Sequence, residues 1–332
     1  MRPMQNNHSK GVRVPKRAID GVLLLDKPKG LSSSLALTRV RGMFRAEKGG
    51  HTGALDPLAS GLLPICLGEA AKFSTYFLEG RKRYIATGRL GIVTTSADAE
   101  GEIVATSEVG DALSHLNEVV EQFKGKIIQT PPIYSAIKVS GRPLYKYARK
   151  GQEVEIPKRE VEIYSLDVKE VISGEEPSFT VEVYCSKGTY IRTLIADIGN
   201  ALGCGAYVTM LRRIEVQGLP KNEMIGLEDL QNLCDGREDL ADFTQLDKLL
   251  LPVDKVMEWL PCLTLQRKEA LDLCHGIRLR EDLESAQFSS DRTQYDGPWQ
   301  VRCEGEFLGV ARVLHGFIIP ERMMSHPMGI NQ

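Results

Sequence analysis

The sequence HTGALDPLASG, residues 51–61, places one carboxylate, Asp56, in a run of small and apolar residues. Pro57 fixes the backbone directly after it, and Ser60 and Gly61 are turn residues. An acid in this setting has few local salt-bridge partners, so it either caps a turn or is a reactive group presented to a substrate. Because Asp-Pro turns are common, the local features alone favour the capping interpretation.

Length and composition indicate a soluble globular protein of two domains. The chain has 332 residues, of which 42% are apolar and 26% charged, and a single ordinary core does not organise a chain of this length. The N-terminal segment is polar and basic and lacks the apolar stretch of a signal peptide, and no apolar run approaches the roughly 20 residues that span a bilayer. We expect a disordered basic tail over residues 1–18.

The seven cysteines are scattered along the chain and form no C-x-x-C pair. Structural zinc sites need cysteine or histidine ligands at short, regular spacings, so a metal site is not expected. Free thiols are typical of a reducing compartment, and the sequence therefore predicts a cytoplasmic protein.

Charge is distributed unevenly along the chain, although the net value of −2 alone argues against a nucleic-acid partner. Residues 1–50 contain eleven Lys/Arg and three Asp/Glu, whereas residues 221–260 contain four and ten. Residues 124–150 contain seven Lys/Arg, no acid and three tyrosines. Basic stripes are the electrostatic footprint of nucleic-acid binding. The two stripes favour RNA contact over a merely solvated surface.

Hydrophobic periodicity predicts strands mixed with helices, without a regular βαβ repeat. The clearest signals are period-two alternation over 179–185 and an amphipathic helix over 191–202. The other predicted strands are 21–26, 84–92, 161–168 (with a kink) and 206–216, and the other predicted helices are 32–44 (with Leu35 facing inward), 69–77, 113–123 and 225–233. This mixture predicts an α+β fold with a mixed, largely antiparallel sheet and flanking helices.

The C-terminal part of the chain has the pattern of a second, smaller domain. An acidic segment ends at Leu251-Pro252, where we place the domain boundary. Beyond it, Thr264 is the predicted cap of a helix that runs through Cys274. Strands are predicted at 299–303 and 307–318. One helix with several strands indicates a β-barrel-like domain over residues 251–325.

Six segments between residues 21 and 216 are similar, in sequence and in order, to the bacterial tRNA pseudouridine synthase B (TruB) family. They are GVLLLDKPKGLSS (21–33), HTGALDPLASGLLPICLGEAAKF (51–73), KRYIATGRLGIVTTSADAEG (82–101), PPIYSAIKVSGRPLYKYARKG (131–151), CSKGTYIRTLIADIG (185–199) and AYVTMLRRIEV (206–216). The resemblance implies the pseudouridine synthase fold for a catalytic domain, residues 19–250, with an RNA-gripping insertion at 124–151. The C-terminal domain resembles, more weakly, a PUA RNA-binding domain.

The resemblance also implies a reaction. Members of the family isomerise a uridine in the T loop of tRNA, at position 55, to pseudouridine, breaking the N1–C1′ bond and forming C5–C1′ without a cofactor. The matching positions make Asp56 the nucleophile or base at the sugar, Tyr84 the residue that stacks on the target base and helps to remove the C5 proton, and Arg192 the partner of Asp56. Arg192 lies in the first turn of its predicted helix, where a cation opposes the helix dipole. That position indicates a specific anionic partner.

Further positions match residues of the family that contact RNA. A uridine inside a folded loop must be flipped out to be reached, and His51 matches the side chain that fills the vacated space. Lys27, followed by Pro28, positions the catalytic loop and contacts phosphate, and Leu211 forms an apolar wall of the uracil pocket. The other predicted RNA-binding residues are Tyr190, Arg213 with its neighbour Arg212, Lys138, Arg142, Lys146, Arg149 and Lys150.

Two other functions remain open on the sequence. The chain could be a non-catalytic RNA-binding or RNA-folding protein, although the set Asp56, Tyr84 and Arg192 counts against this. It could also be a guide-RNA-dependent relative, as in archaeal and eukaryotic ribonucleoproteins, but those relatives lack the basic 124–150 insertion. The expected partner is therefore tRNA, through its T arm and acceptor stem, with no guide RNA and no membrane, and we expect a monomer.

Overall fold

The structure is a computed structural model, and it describes residues 15–135, 137–139, 141–144, 147, 151–152, 154–220, 223–291 and 295–325. The strands are β1 (Gly21–Lys27), β2 (Gly49–His51), β3 (Ser60–Leu67), β4 (Lys82–Leu90), β5 (Ile92–Thr94), β6 (Ile103–Thr106), β7 (Gly125–Gln129), β8 (Lys138–Val139), β9 (Arg142–Pro143), β10 (Arg159–Ile172), β11 (Ser178–Cys185), β12 (Ala206–Val216), β13 (Ile225–Gly226), β14 (Cys262–Thr264), β15 (Leu279–Arg280), β16 (Gln287–Phe288), β17 (Pro298–Cys303), β18 (Glu306–Leu314) and β19 (Phe317–Met323). The α-helices are α1 (Ser33–Phe44), α2 (Ser74–Glu79), α3 (Leu116–Glu121), α4 (Ile191–Ala201), α5 (Leu227–Asp235), α6 (Thr244–Asp247), α7 (Val253–Val256) and α8 (Arg267–Cys274). Two 3-10 helices, Gly68–Phe73 and Ala112–His115, precede α2 and α3.

The larger sheet has the order β13-β1-β3-β12-β4-β11-β10-β7, with β2 paired to β3. Its pairings are antiparallel except for β1 with β13 and β3 with β12. The predicted α+β fold with a mixed, largely antiparallel sheet is therefore confirmed. The predicted kink in the 161–168 strand corresponds to register shifts between Ile163 and Ser165 and between Val168 and Glu170.

Burial follows the sequence patterns that predicted these strands. The continuous apolar run in β1 is buried on both faces, with Leu23 and Leu25 in one core and Val22 and Leu24 in another. Strand β11 alternates instead, because its odd-numbered residues face the first core while the even-numbered ones stay half-buried. The sheet is thus covered on both sides at its β1 end and on one side at β11.

Helix α1 begins where predicted, but one of its residues is turned differently. The Ser32 hydroxyl caps the helix by accepting from the Leu35 amide at 3.3 Å. The buried face comprises Ser33, Ala36, Val40 and Phe44. The inward orientation predicted for Leu35 is wrong. Its side chain is exposed, because residue 35 does not lie on the buried face of the helix.

The smaller sheet has the order β15-β19-β18-β17-β14-β16 and, with α8, encloses its own core around the fully buried Trp299. Two details of the prediction are wrong. Residues 307–318 are not one strand, because His315 (φ 51°) and Gly316 (φ 82°) form a left-handed turn between β18 and β19. Thr264 does not cap α8, because it ends β14 and the helix begins at Arg267.

The two sheets share an apolar layer. At Leu251 the chain still exchanges backbone hydrogen bonds with Val22 of β1, both 2.9 Å long. The following residues pack with Val22 and Leu24 on the back of the larger sheet, and Val310 of β18 joins the same cluster. The apolar residues contributed by the connecting segment are Val253, Val256, Met257 and Leu260. The division of the chain at Leu251-Pro252 therefore stays a prediction.

None of the helices in the described ranges combines the length and apolar character needed to cross a bilayer.

Candidate active site

The loop that carries Asp56 joins β2 to β3 and is held by two neighbouring elements. The Ser33 hydroxyl, at the start of α1, donates to the Leu55 carbonyl at 2.9 Å and accepts from the Leu55 amide at 2.8 Å. Arg213 of β12 donates from Nη2 to the Gly53 carbonyl at 2.8 Å. These bonds fix the backbone ahead of Asp56, so its carboxylate leaves the loop in a defined direction.

Two buried cations support this loop. Arg213 is 1% exposed and donates from Nε to the Leu62 carbonyl at 2.7 Å. Lys27 is 0% exposed and donates to the carbonyls of Leu31, at 2.6 Å, and Pro28, at 2.9 Å. Burial, partly offset by the charge of nearby carboxylates, lowers the pKa of Lys27 to about 8. Both side chains are buried and donate to backbone carbonyls, which supports an indirect role through the loop, and their predicted contact with RNA stays a prediction.

Asp56 faces Arg192 of α4. Its Oδ2 lies 3.0 Å from the arginine Nε, and 41% of the Asp56 side chain is exposed against 4% of the Arg192 side chain. The Nε–H is not aimed along this line, so the contact is an ion pair rather than a well-directed hydrogen bond. Among the described residues, no backbone N–H donates to the Asp56 carboxylate. The geometry therefore favours a presented carboxylate over a turn cap.

The guanidinium of Arg192 is fixed by three further contacts. Nη1 lies 3.1 Å from Asp98 Oδ2 and donates to the Ser96 carbonyl at 3.0 Å, and Nη2 donates to the Tyr134 carbonyl at 2.9 Å. Because the nitrogens of the planar fork all have defined neighbours, the direction of Arg192 toward Asp56 is set by the fold. The predicted pairing of these two residues is present in the structure.

Asp98 is a member of this site that the sequence analysis did not single out. It is 2% exposed, on the β5–β6 hairpin, and it accepts from the Ser96 hydroxyl and, at 3.0 Å, from the Glu100 amide. It lies within the family-like segment 82–101. The only local signal was an acid pair, Asp98 and Glu100, in a turn-rich stretch, and nothing in that stretch indicates that its partner is Arg192.

The Asp56 carboxyl is less acidic than an isolated one. Burial raises its pKa, the Arg192 charge lowers it, the Asp98 charge raises it and the Lys27 charge lowers it. Burial also raises the pKa of Glu100, with the charges of Asp98 and Asp56 acting in the same direction. Three carboxyls and two cations thus share one site, and the cations favour the ionised state of Asp56.

Tyr84 of β4 lies close to the loop, because its neighbour across the sheet is Arg213, which holds that loop. In the sheet register it is opposite Arg213 of β12 on one side and Val183 of β11 on the other. Burial raises the pKa of the Tyr84 phenol, with Arg213 opposing and Asp56 adding to the rise. The phenol is therefore neutral at neutral pH. Leu211 and Ala86 are paired two residues further along the same two strands, so a buried apolar surface adjoins Tyr84.

His51 and Tyr190 border the same site. His51 ends β2, is half-buried, and its Nδ1 has no hydrogen-bond partner in the described part of the chain. Burial and the Arg213 charge lower its pKa, so the imidazole is neutral at neutral pH. Tyr190 immediately precedes α4, and its backbone is held by the Gln129 side chain at 3.0 and 3.2 Å. Burial raises the Tyr190 pKa, and the neighbouring Ser135 hydroxyl opposes the rise.

The remaining cationic residues that were predicted to contact RNA make no hydrogen bond or ion pair with Asp56 or Arg192 among the side chains that the structure describes. Arg212 faces away from Arg213 and pairs with both carboxylate oxygens of Asp26, at 2.9 and 2.6 Å. Arg142, in β9, is exposed, and the backbone of Lys138 lies in the paired strand β8. Lys146, Arg149 and Lys150 lie outside the described residues. In the described ranges, no group of three or more His, Cys, Asp or Glu residues is arranged to hold a metal ion.

Comparisons with known proteins identify the family. Residues 41–191 match the model of the TruB family pseudouridylate synthase N-terminal domain, and residues 192–258 match that of the tRNA pseudouridylate synthase B C-terminal domain. The tRNA pseudouridine synthase B of Haemophilus influenzae is 45% identical over 312 residues, which cover 93% of this chain and 96% of the relative. That of Burkholderia mallei is 45% identical, with 94% and 96% covered.

A solved structure extends the likeness to three dimensions. The matching chain of a crystal structure of a Cbf5-Nop10-Gar1 complex is 26% identical, with a TM-score of 0.68, and the match covers 91% of this chain and 84% of that one. Family models that together match more than half of the chain, and curated relatives at 45% identity over nearly their whole length, lead to one assignment. The chain belongs to the TruB family of pseudouridine synthases.

Proposed function

We propose that this protein isomerises the uridine at position 55, in the T loop of tRNA, to pseudouridine. The relatives at 45% identity are named tRNA pseudouridine synthase B. The single observation that carries the proposal is the Asp56–Arg192 pair, in which a 41% exposed carboxylate lies 3.0 Å from a guanidinium that is itself 4% exposed. A carboxylate that is accessible on one side and held by a buried cation on the other suits attack or proton transfer at a sugar.

The reaction leaves the composition of the RNA unchanged. The N1–C1′ bond breaks, the base turns, C5–C1′ forms, the C5 proton leaves and N1 gains a proton. Asp56 acts in its ionised form, either as the nucleophile or as the base at the ribose, and Arg192 favours that form. Tyr84 stacks on the base and assists the removal of the C5 proton, while Leu211 forms an apolar wall beside it.

The target uridine must leave its stack to reach Asp56. The neutral, half-buried imidazole of His51 suits the filling of the vacated space, because a flat uncharged ring stacks on bases. Lys27 and Arg213 keep the loop in place, and Tyr190 lines the site. We assign direct phosphate contact to the insertion 124–151, through Lys138, Arg142, Lys146, Arg149 and Lys150.

We further propose a division of labour along the chain. Residues 1–18 form a basic tail, residues 19–250 carry catalysis, and residues 251–325 form a PUA-like RNA-binding domain that extends the contact toward the acceptor stem. The partner is tRNA, without a guide RNA. Every residue assigned to chemistry lies between Lys27 and Arg213, before the second sheet begins.

Tritium release from C5-labelled uridine in an unmodified T-arm hairpin tests this function, with the protein as the sole macromolecule besides the RNA. We expect release by wild type and none above background by Asp56→Asn. Release only after a guide RNA is added would favour a guide-dependent enzyme. Binding and refolding of the RNA without any release would favour a non-catalytic RNA-folding protein, and either result would contradict the proposal.

A further inference from the structure

A cavity of about 630 Å³ lies between α2 and the smaller sheet. Its size is within the usual range of small-ligand sites. The residues that define its chemistry are Tyr76, Trp259, Pro298, Arg312, Glu321 and Arg322. They come from α2, from the segment that joins the two sheets, and from β17, β18 and β19. The cavity is separate from the Asp56 site, and the proposed reaction does not use it.

Trp259 presents an open aromatic surface to this cavity. One side of the indole lies against the backbone of Gly218, where a Cβ atom would be only 2.5 Å from the ring carbon Cδ1. Its exposed fraction is 39%, whereas Trp299, the other tryptophan of the chain, is 0% exposed. An indole supported on one side and open on the other is a stacking platform for a planar group, and nucleobases bind such platforms with about 1–3 kcal/mol per base.

The polar groups beside the indole suit a nucleotide. Glu321 accepts from the Tyr76 hydroxyl at 3.0 Å and from Arg312 Nε at 2.7 Å. A carboxylate has about four acceptor positions, so acceptor capacity remains for an exocyclic amino group. Arg322 is exposed, and its Nη1 donates to the Glu321 carbonyl at 2.7 Å. Its charge is available to a phosphate.

Helix α2 connects this cavity with the catalytic loop. Tyr76 and Glu79 line the cavity, while Leu78 of the same helix lies within contact range of Gly53, three residues before Asp56. The helix has six residues, so it is roughly 9 Å long. Helix α2 therefore borders both the cavity and the loop that carries Asp56.

We propose that the cavity binds one unpaired nucleotide of the substrate RNA, other than the target uridine. Its base stacks on the open face of Trp259, and its phosphate lies beside Arg322. The Glu321 carboxylate favours a base with an exocyclic amino group, which cytosine, adenine and guanine have, over uracil, whose carbonyl oxygens it repels. This inference rests on the proposed function only for the identity of the RNA, because the site makes no contribution to the chemical step.

Tryptophan fluorescence tests the site directly. Because Trp299 is fully buried, a base can quench only Trp259. Titration of the whole protein with short cytidine or adenosine oligonucleotides should quench the emission, and uridine oligonucleotides should bind several-fold more weakly. Trp259→Phe should remove the signal. Equal quenching by all three sequences would contradict the role of Glu321, and no quenching at oligonucleotide concentrations up to the millimolar range would overturn the proposal.

Steady-state kinetics on the T-arm hairpin separates this site from catalysis. Trp259→Ala and Arg322→Ala should each raise KM about tenfold and leave kcat within twofold, which is the effect of losing one stacking or phosphate contact. Ile277→Ala, another exposed apolar residue near the smaller sheet, is the matched control and should change neither. If Trp259→Ala fails to fold, Arg322→Ala still decides, because its side chain is exposed. KM within twofold of wild type in Arg322→Ala, together with unquenched Trp259, would refute the site even if turnover confirms the enzyme.

Discussion

Among the described residues, the fully buried charged side chains lie on or beside the larger sheet, whereas the charged side chains of the smaller sheet are half-buried or exposed. Lys27 and Arg213 of the larger sheet and Arg192 of helix α4 are buried and donate to backbone carbonyls around the Asp56 site. In the smaller sheet, Arg280 and Arg312 make ion pairs on the surface, with side chains 73% and 34% exposed. Removing one member of a buried pair leaves an uncompensated charge and costs about 3–5 kcal/mol, whereas a surface pair contributes about 0–1 kcal/mol. The residues proposed for the chemical step lie where charge is buried.

The largest effect is expected from truncation, and two truncated chains test the contrast. A chain ending at Leu250 loses four buried apolar side chains that cover the back of the larger sheet: Val253, Val256, Met257 and Leu260. At about 1.5–3 kcal/mol each, their loss is comparable to the whole stability of a domain. We expect this chain to be unfolded at 25 °C by circular dichroism.

A chain ending at Leu260 is the matched comparison. It keeps those four side chains and loses only the smaller sheet, with its contacts from Phe307, Val310 and Met324 to the shared layer. We expect it to fold, to modify the T-arm hairpin with a kcat close to that of the full chain, and to bind full tRNA more weakly. A folded Leu260 chain without hairpin activity would place part of the active site in the smaller sheet.

Asp56→Asn should lower turnover at least about a thousandfold while RNA affinity and thermal stability stay near wild type. The amide is nearly isosteric with the acid, but it can neither attack nor accept a proton at the sugar. Single-turnover tritium release measures the chemical step, and filter binding measures affinity. Asp167→Asn, an exposed carboxylate on β10, is the control and should be silent. Turnover of Asp56→Asn within tenfold of wild type would remove Asp56 from the chemistry.

Arg192→Lys should be nearly as damaging as Arg192→Ala, with turnover reduced on the order of a hundredfold. The three guanidinium nitrogens have different partners in Asp56, Asp98, Ser96 and Tyr134, and an ammonium group cannot contact them together. Arg280→Lys in the smaller sheet keeps its exposed pair with Asp282 and should change turnover less than twofold. If Arg192→Lys retains most of its turnover, Arg192 supplies positive potential only.

The sequence predicts much of this architecture because the relevant signals are local. The alternation in β11, the continuous apolar run in β1 and the amphipathic α4 each arise from neighbouring residues that face a common core. The hairpin at His315-Gly316 was missed because a short turn without Pro or a Gly pair gives a weak signal between two apolar strands.

The site was predicted less completely, because its supporting contacts are distant along the chain. Asp98 and Arg192 are 94 residues apart, and Arg213 reaches a carbonyl 160 residues away. No periodicity or spacing encodes such pairs. The resemblance to the TruB family indicated Asp56, Tyr84 and Arg192 as site residues. It did not indicate that the side chains of Lys27 and Arg213 are buried.

The salt dependence of tRNA binding probes the open charges. Affinity should fall steeply with salt despite the net charge of −2, because each neutralised phosphate contributes roughly −0.7 to −0.9 to the slope of log affinity against log salt. Replacing Lys146, Arg149 and Lys150 by Ala should flatten the slope by about one to two. Arg280→Ala, whose partner is Asp282 on the smaller sheet, is the control. An unchanged slope in the triple variant would place the RNA elsewhere.

The smallest expected effect is a shift of the kcat–pH profile. The direction of the shift depends on which charged neighbour of Asp56 is removed. If turnover needs ionised Asp56, the acid limb of the kcat profile follows the pKa of Asp56, and activity is lost as the pH falls through it. Burial raises this pKa, the Asp98 charge raises it further, and the Lys27 charge lowers it. Removing the negative neighbour in Asp98→Asn should therefore move the acid limb to lower pH, and removing the cation in Lys27→Met should move it to higher pH.

Opposite shifts are a stringent requirement, because a general loss of structure would lower kcat at every pH without displacing the limb in two directions. Glu102→Gln, an exposed carboxylate on the same hairpin as Asp98, should leave the limb in place. Opposite shifts do not by themselves separate Asp56 from Glu100, because the Asp98 charge raises and the Lys27 charge lowers the pKa of Glu100 as well. Repeating the profile with Glu100→Gln decides this, because the limb would then disappear if Glu100 were its origin and persist if it belongs to Asp56.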